Sequence, residues 1–254
     1  MLFIDTHSHL QFDSYDKDRD DVIAQAFSRG IKAIINIGID EKTSRQAIEL
    51  AHQYKNLFAT AGWHPHDAKS YDENILRELL DDASIVALGE IGLDYFRNTT
   101  PHDLQKNIFE AQLQVAKERD LPVVVHDRNA HTDVFEILKK YKPRGVVFHC
   151  FSGDYNFARE VLKQGWFISF TGSITFDKGL YFGTIRDIPD DQYFVETDAP
   201  FLTPYPYRGK RNRPEYVEYI IQHIAEIKMK SPLEIARQTT ENAENFFSLH
   251  KKLD

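Results

Sequence analysis

Residues 1–10 read MLFIDTHSHL, an apolar, strand-like run (Leu2, Phe3, Ile4) that breaks into Asp5-Thr6-His7-Ser8-His9. Side chains of an extended chain alternate between faces, so His7 and His9 point the same way and Asp5 shares their face. Two imidazoles side by side at a strand end make half of a metal site. Alone, the pair has an equally simple explanation as surface histidines near a frayed terminus. Four later stretches weigh against that explanation, because each places a metal-type residue just after an apolar run. Residues 86–89 lead into Glu90, 121–125 into His126, 145–148 into His149, and 193–196 toward Asp198.

Outward from these points the chain alternates short apolar runs with longer amphipathic segments. Further strands are expected at 33–37, 57–62 and 166–170, and helices at 18–29, 42–54, 74–80, 102–119, 131–141 and 156–163. A looser segment is expected at 173–186, and helices at 214–228 and 232–247 close the chain. Linkers, low-complexity tracts and tandem repeats are absent, which predicts one domain over residues 1–254. Eight strand–helix units of this size predict an α/β fold, the (β/α)₈ TIM barrel, with extra C-terminal helices. The competitor is an open sheet. Strands lie about 4.8 Å apart, so eight of them would spread their ends over roughly 34 Å. Ligands from strands one, four, five, six and eight could not then meet at bonds of about 2 Å. Closing the sheet brings them together, on the C-terminal face where barrels keep their chemistry.

Composition narrows the classes. Hydrophobic residues are 42% and charged residues 28%, enough apolar material for a substantial core. The one cysteine, Cys150, excludes an intramolecular disulfide and points to a reducing, cytoplasmic setting. Neither a signal peptide nor a membrane-length apolar run is expected. The net charge of -8 argues against wrapping duplex nucleic acid, so an anionic substrate must be held locally.

The candidate ligands are thus His7, His9, Glu90, His126, His149 and Asp198. Four imidazoles and two carboxylates exceed one tetrahedral site and suit a two-metal site. Each has a structural alternative: Glu90 pairing with Arg97, His126 and His149 bonded to backbone, Asp198 capping the turn before Pro200. A shared register at five strand ends is simpler than separate explanations.

The stretches DTHSHL (5–10), GWHPHD (62–67), GEIGLDY (89–95), VVHDRNA (124–130), FHCFSG (148–153), ETDAPFLTP (196–204) and PYRGKRNRP (206–214) resemble the TatD family of metal-dependent deoxyribonucleases, within the wider amidohydrolase-like barrels. The likeness runs in order from residue 3 to about 247. It implies a (β/α)₈ barrel, a pair of divalent cations and hydrolysis of DNA phosphodiesters. It further implies that His7, His9, Glu90 and Asp198 hold one cation, and that Glu90 bridges to a second completed by His126 and His149. Arg213 stands where the family usually has glutamate, and Asn129 where aspartate is common.

Around these ligands, Glu196 shares a strand face with Asp198 and, like Asp5, is a candidate supporting residue. His64 is placed to touch substrate phosphate or protonate a leaving oxygen. Arg128 and the Arg208-Gly209-Lys210-Arg211 loop are candidate phosphate clamps, stiffened by Pro204, Pro206 and Pro214. Tyr95, Phe96, Phe151, Phe201, Tyr205 and Tyr207 are candidates for base stacking.

The expected function is DNA hydrolysis, from the 3′ end of single strands or frayed ends on the family's likeness. Asp198 serves as general base and Glu90 as the other catalytic carboxylate. The cofactors expected are two divalent cations: zinc, manganese, magnesium, cobalt or nickel. No membrane and no obligate protein partner are implied. Two other classes stand beside it: hydrolysis of an ester or amide such as an aminoacyl-tRNA, and a metal-binding scaffold without turnover.

Overall fold

The computed structural model describes residues 1–97 and 99–253. Asn98 and Asp254, the last residue of the expected domain, lie outside the described residues. The strands are β1 (Phe3–Ser8), β2 (Ile31–Ile37), β3 (Leu57–Ala61), β4 (Ile85–Asp94), β5 (Val123–Arg128), β6 (Val146–Phe148), β7 (Phe167–Phe170) and β8 (Tyr193–Val195). They follow one another in a single eight-stranded sheet in the order β1 to β8. That is the strand order of the (β/α)₈ barrel, as expected. The intervening helices are α1 (Arg19–Ser28), α2 (Glu41–Gln53), α3 (Glu73–Leu79), α4 (His102–Glu118), α5 (His131–Tyr141), α6 (Tyr155–Lys163) and α7 (Phe182–Asp187). After β8 come α8 (Val217–Lys228) and α9 (Pro232–Phe246).

Local chemistry starts the helices. Asp40 accepts the Thr43 N–H before α2, with the Thr43 hydroxyl answering the Asp40 backbone. Ser231 and Glu234 make the same reciprocal box before α9, and Pro232 occupies the first turn, where a missing N–H costs nothing.

The residues fall into two compact units, Met1–Asn36 with Gly153–Asp254, and Ile37–Ser152. In the first, β1 pairs in parallel with β2, and β7 with β8. A parallel bridge from Ser8 to Ala199 joins the end of β1 to the segment after β8. Phe194 of β8 stacks on Phe167 at 4.8 Å and meets Phe246 and Phe247 of the C-terminal segment, which gives α9 its place. In the second, β3 to β6 pair in parallel, with α4 packed on β4.

Two boundaries differ from expectation. β4 was expected to end at Gly89 but runs through Glu90 to Asp94, all ten residues buried. Its register against β5 shifts between Leu88 and Ile91, after which Ile91 to Asp94 pair with Val125 to Arg128, so the ladder continues past Glu90. The segment expected to be loose at 173–186 contains a 3₁₀ turn, Gly172–Thr175, and then α7.

Candidate metal centres

The first unit gathers His7, His9 and Asp198. His7 Nε2 and His9 Nε2 are 3.2 Å apart, and Asp198 Oδ1 lies 3.7 and 3.4 Å from them. At metal–nitrogen bonds of about 2.0–2.1 Å, neighbouring donors of a tetrahedron stand about 3.3 Å apart, so these three fit one cation. Asp5 holds the arrangement. It is wholly buried, accepts the Thr197 N–H at 2.9 Å and the Thr197 hydroxyl at 2.6 Å, and accepts the His7 N–H at 3.3 Å. Burial raises its pKa well above the usual carboxylate range, although these hydrogen bonds oppose the shift. Asp198 itself sits in the left-handed region at φ +54°, fixed by its N–H donating to His7 O at 2.9 Å. A backbone held in this sparsely populated region beside two imidazoles makes Asp198 a candidate functional position. Glu196 is buried, with a carboxylate oxygen within 4.8 Å of a His7 ring nitrogen.

The second unit gathers Glu90, His126, His149 and His64. Glu90 Oε1 lies 2.9 Å from His126 Nδ1, 2.8 Å from His149 Nε2 and 3.7 Å from His64 Nε2. His126 Nδ1 and His149 Nε2 are 3.3 Å apart. These separations also fit donors around one cation. Burial lowers the His64 pKa well below normal, with the neighbouring imidazole of His126 adding to it. Burial thus favours the neutral form of the His64 ring, which sits among the candidate ligands rather than on an open rim.

Asp94 was not singled out from the sequence. It is buried, and its Oδ2 lies 3.3 Å from His126 Nε2 and 3.0 Å from His66 Nε2. Its Oδ1 accepts the N–H groups of Phe96 and Arg97. Burial favours its protonation, but hydrogen bonds from His126 and Arg97 outweigh that and hold its carboxyl well below the ordinary range. A carboxylate on the far nitrogen orients a ligating histidine and makes it more basic. The available signal was alternation: Glu90, Gly92 and Asp94 share one strand face. Two glutamines of α4 were also missed. Gln105 accepts the Asp94 N–H at 2.8 Å and donates to Asp94 O at 3.0 Å. Gln112 does the same for Trp63, at 2.7 and 3.0 Å.

The basic residues divide. Arg211 places its two terminal nitrogens on the Asp18 carboxylate at 2.9 and 2.6 Å, donates to Ser14 O, and lies 4.4 Å over the Tyr15 ring. Its fork is taken up within the protein. Arg208 and Lys210 are exposed, lying 3.5 Å over Phe176 and 5.6 Å over Tyr207. Arg128 stacks 4.0 Å over the exposed ring of Phe96. Arg213, one of the two departures from the family pattern, donates to Gln25 Oε1 at 2.7 Å.

The profile of the family described as TatD related DNase matches residues 4–248. The chain belongs to that family. Along 98% of its length it is 42% identical to the metal-dependent hydrolase YabD of Bacillus subtilis, covering all of that protein. It is 35% identical to the 3′-5′ ssDNA/RNA exonuclease TatD of Citrobacter rodentium, over 96% of this chain and 97% of that one. Its fold superposes on the crystal structure of YjjV, a TatD homologue of Escherichia coli K12, with a TM-score of 0.90 at 30% identity, covering 97% and 98% of the two chains. This TatD-family chain is accordingly a metal-dependent hydrolase, and its His and carboxylate clusters are the groups able to hold the metal. Among the described residues, no helix is long and apolar enough to cross a membrane.

Proposed function

We propose that this TatD-family hydrolase is a deoxyribonuclease that removes nucleotides from the 3′ ends of single-stranded or frayed DNA in the cytoplasm, residues 1–254 acting as one hydrolase domain. The observation that carries the proposal is the pair of largely buried donor sets, His7–His9–Asp198 and Glu90–His126–His149, each at spacings that fit a divalent cation. His7, His9 and Asp198 would hold one cation, and Glu90, His126 and His149 the other. When bound, such cations supply the Lewis acidity that makes water nucleophilic near neutral pH and offsets phosphate charge. Asp198 accepts the proton of the attacking water. Asp5 keeps Asp198 and His7 in place through Thr197 and the His7 backbone. Neutral His64 meets a phosphate oxygen beside Glu90. Arg128, Arg208 and Lys210 contact the backbone of the substrate, while Arg211 holds the loop that carries two of them. No covalent attachment to the protein is required.

The test uses 5′-labelled single- and double-stranded oligonucleotides and protein stripped by chelation, then reloaded with manganese, zinc, cobalt, nickel or magnesium. Stepwise shortening of the single strand, abolished by chelation and restored by metal, is expected. Hydrolysis of neither oligonucleotide with any metal, or full activity in protein shown metal-free by elemental analysis, overturns the proposal.

A further inference from the structure

Phe201 is an aromatic residue that the fold leaves open, 52% exposed, three positions beyond Asp198. Its backbone is not loose. The Phe201 N–H donates to Asp198 O at 2.8 Å, and its carbonyl accepts the Asn212 side-chain amide at 2.6 Å. Asn212 is wholly buried, donates also to Thr197 O at 2.9 Å, and has its own carbonyl bonded to the Tyr15 hydroxyl at 2.6 Å. The ring is set against a small aromatic group. It meets Phe12 edge-to-face at 6.2 Å and His9 at 6.5 Å, while Phe12 stacks on His9 at 4.7 Å with 14° between the planes. A phenyl ring with half its surface in water forfeits burial that would otherwise stabilise the fold. Here that surface is presented from a fixed backbone beside His9, one of the candidate ligands.

We infer that Phe201 is a stacking platform for the nucleobase next to the phosphate being cleaved, and that it selects an unpaired base, purine over pyrimidine. The inference rests on the nuclease reading above and deepens it. A phosphate held at His7, His9 and Asp198 places the base of an adjoining nucleotide within reach of the neighbouring ring. Stacking asks only for a π-face, so it tolerates any base, favours the larger ones, and is denied to a base still inside a duplex. The rigid backbone means little conformational freedom is lost when the base docks.

Single-stranded oligonucleotides carrying adenine, thymine or an abasic sugar at the last or penultimate 3′ position separate the possibilities. Steady-state kinetics are measured on the metal-loaded protein, on Phe201→Ala, Phe201→Leu and Phe201→Trp, and on Leu233→Ala as an exposed apolar control. The wild-type protein is expected to lose about 5–150-fold in kcat/KM on abasic substrate at one of the two positions, chiefly through KM. Thymine should fall between abasic sugar and adenine. Phe201→Ala and Phe201→Leu should flatten the adenine-to-abasic ratio, Phe201→Trp should retain it, and Leu233→Ala should match wild type. The ratio is internal to each variant, so a change in the amount of folded protein does not alter it. Ratios equal in the wild type and Phe201→Ala overturn the platform while leaving the nuclease reading standing. A wild-type protein that cleaves none of these strands with any metal overturns the nuclease reading, and the platform with it.

Discussion

Asp198 is asked to do two things in the proposed reaction, ligate and take a proton, and substitution separates them. Asp198→Asn keeps the shape and an oxygen able to touch metal, but loses the charge and the basic lone pair. Turnover is expected to fall about 10²–10⁴-fold while the cation at Glu90, His126 and His149 stays bound. Glu90→Gln removes the only charged donor of that second set, so metal content should fall there along with rate. Metal analysis beside single-turnover kinetics makes the comparison, and near-native turnover in Asp198→Asn removes the base assignment. Asp67 offers a different kind of test. Its partly buried carboxyl is pushed from 3.8 up to about 6, first by burial and then by the charges of Asp40 and Glu90. The folded state therefore binds this proton more tightly than the unfolded chain does. Stability from it is present below about pH 4 and lost as pH rises through 6. In the metal-free protein, Asp67→Asn should raise Tm at pH 7.5 by the equivalent of about 1–2 kcal/mol, allowing for partial exposure. The gain should vanish near pH 4. A constant gain at both pH values means the carboxyl is not shifted.

At the scale of the element, α4 does more than cover β4. Gln105 and Gln112 are seven residues apart, two helical turns, and so share a face. Each side-chain amide pairs with both backbone groups of one residue: Asp94, which supports His126, and Trp63, which precedes His64. The helix thus sets the backbone that carries the Asp94 carboxylate to His126 and the backbone that leads into His64. Gln112→Leu preserves volume but leaves the Trp63 N–H and carbonyl unpaired in a buried setting, at about 1–3 kcal/mol for each group. A loss of roughly 5–10 °C in Tm is expected for a chain of this length. A scanning-calorimetry shift under about 2 °C, well short of that range of about 5–10 °C, would show that other groups replace the amide.

For the molecule as a whole, a net charge of -8 means that nucleic acid is drawn by a few local cations and repelled elsewhere. Arg128, Arg208 and Lys210 are the contacts proposed. About three phosphates neutralised on a single strand give a slope near -2 in a plot of log affinity against log salt. A salt titration of the slowed, metal-loaded Asp198→Asn, completed before appreciable turnover, would measure it. A slope of about -5 or steeper would require a basic surface beyond these three residues.

Much of this was readable in the linear chain, because the signals are periodic and local. Alternation in MLFIDTHSHL put His7 and His9 on one face, and an apolar run before each of Glu90, His126 and His149 marked the strand that delivers it. The strand–helix count then pointed to the barrel. Asp94 followed the same two-residue rhythm, but only the shifted register of β4 against β5 makes its stretch a strand at all. What the folded chain alone decided is which long side chains find each other. Arg211 looked like a phosphate clamp within a basic loop, yet its guanidinium closes on Asp18, 193 residues away in sequence. The α4 glutamines resembled any polar residues of an amphipathic helix until Trp63 and Asp94 came within reach. Backbone periodicity is set by neighbours along the chain, so sequence carries it. Hydrogen-bond partners depend on distances between remote segments, and those exist only once the core has packed.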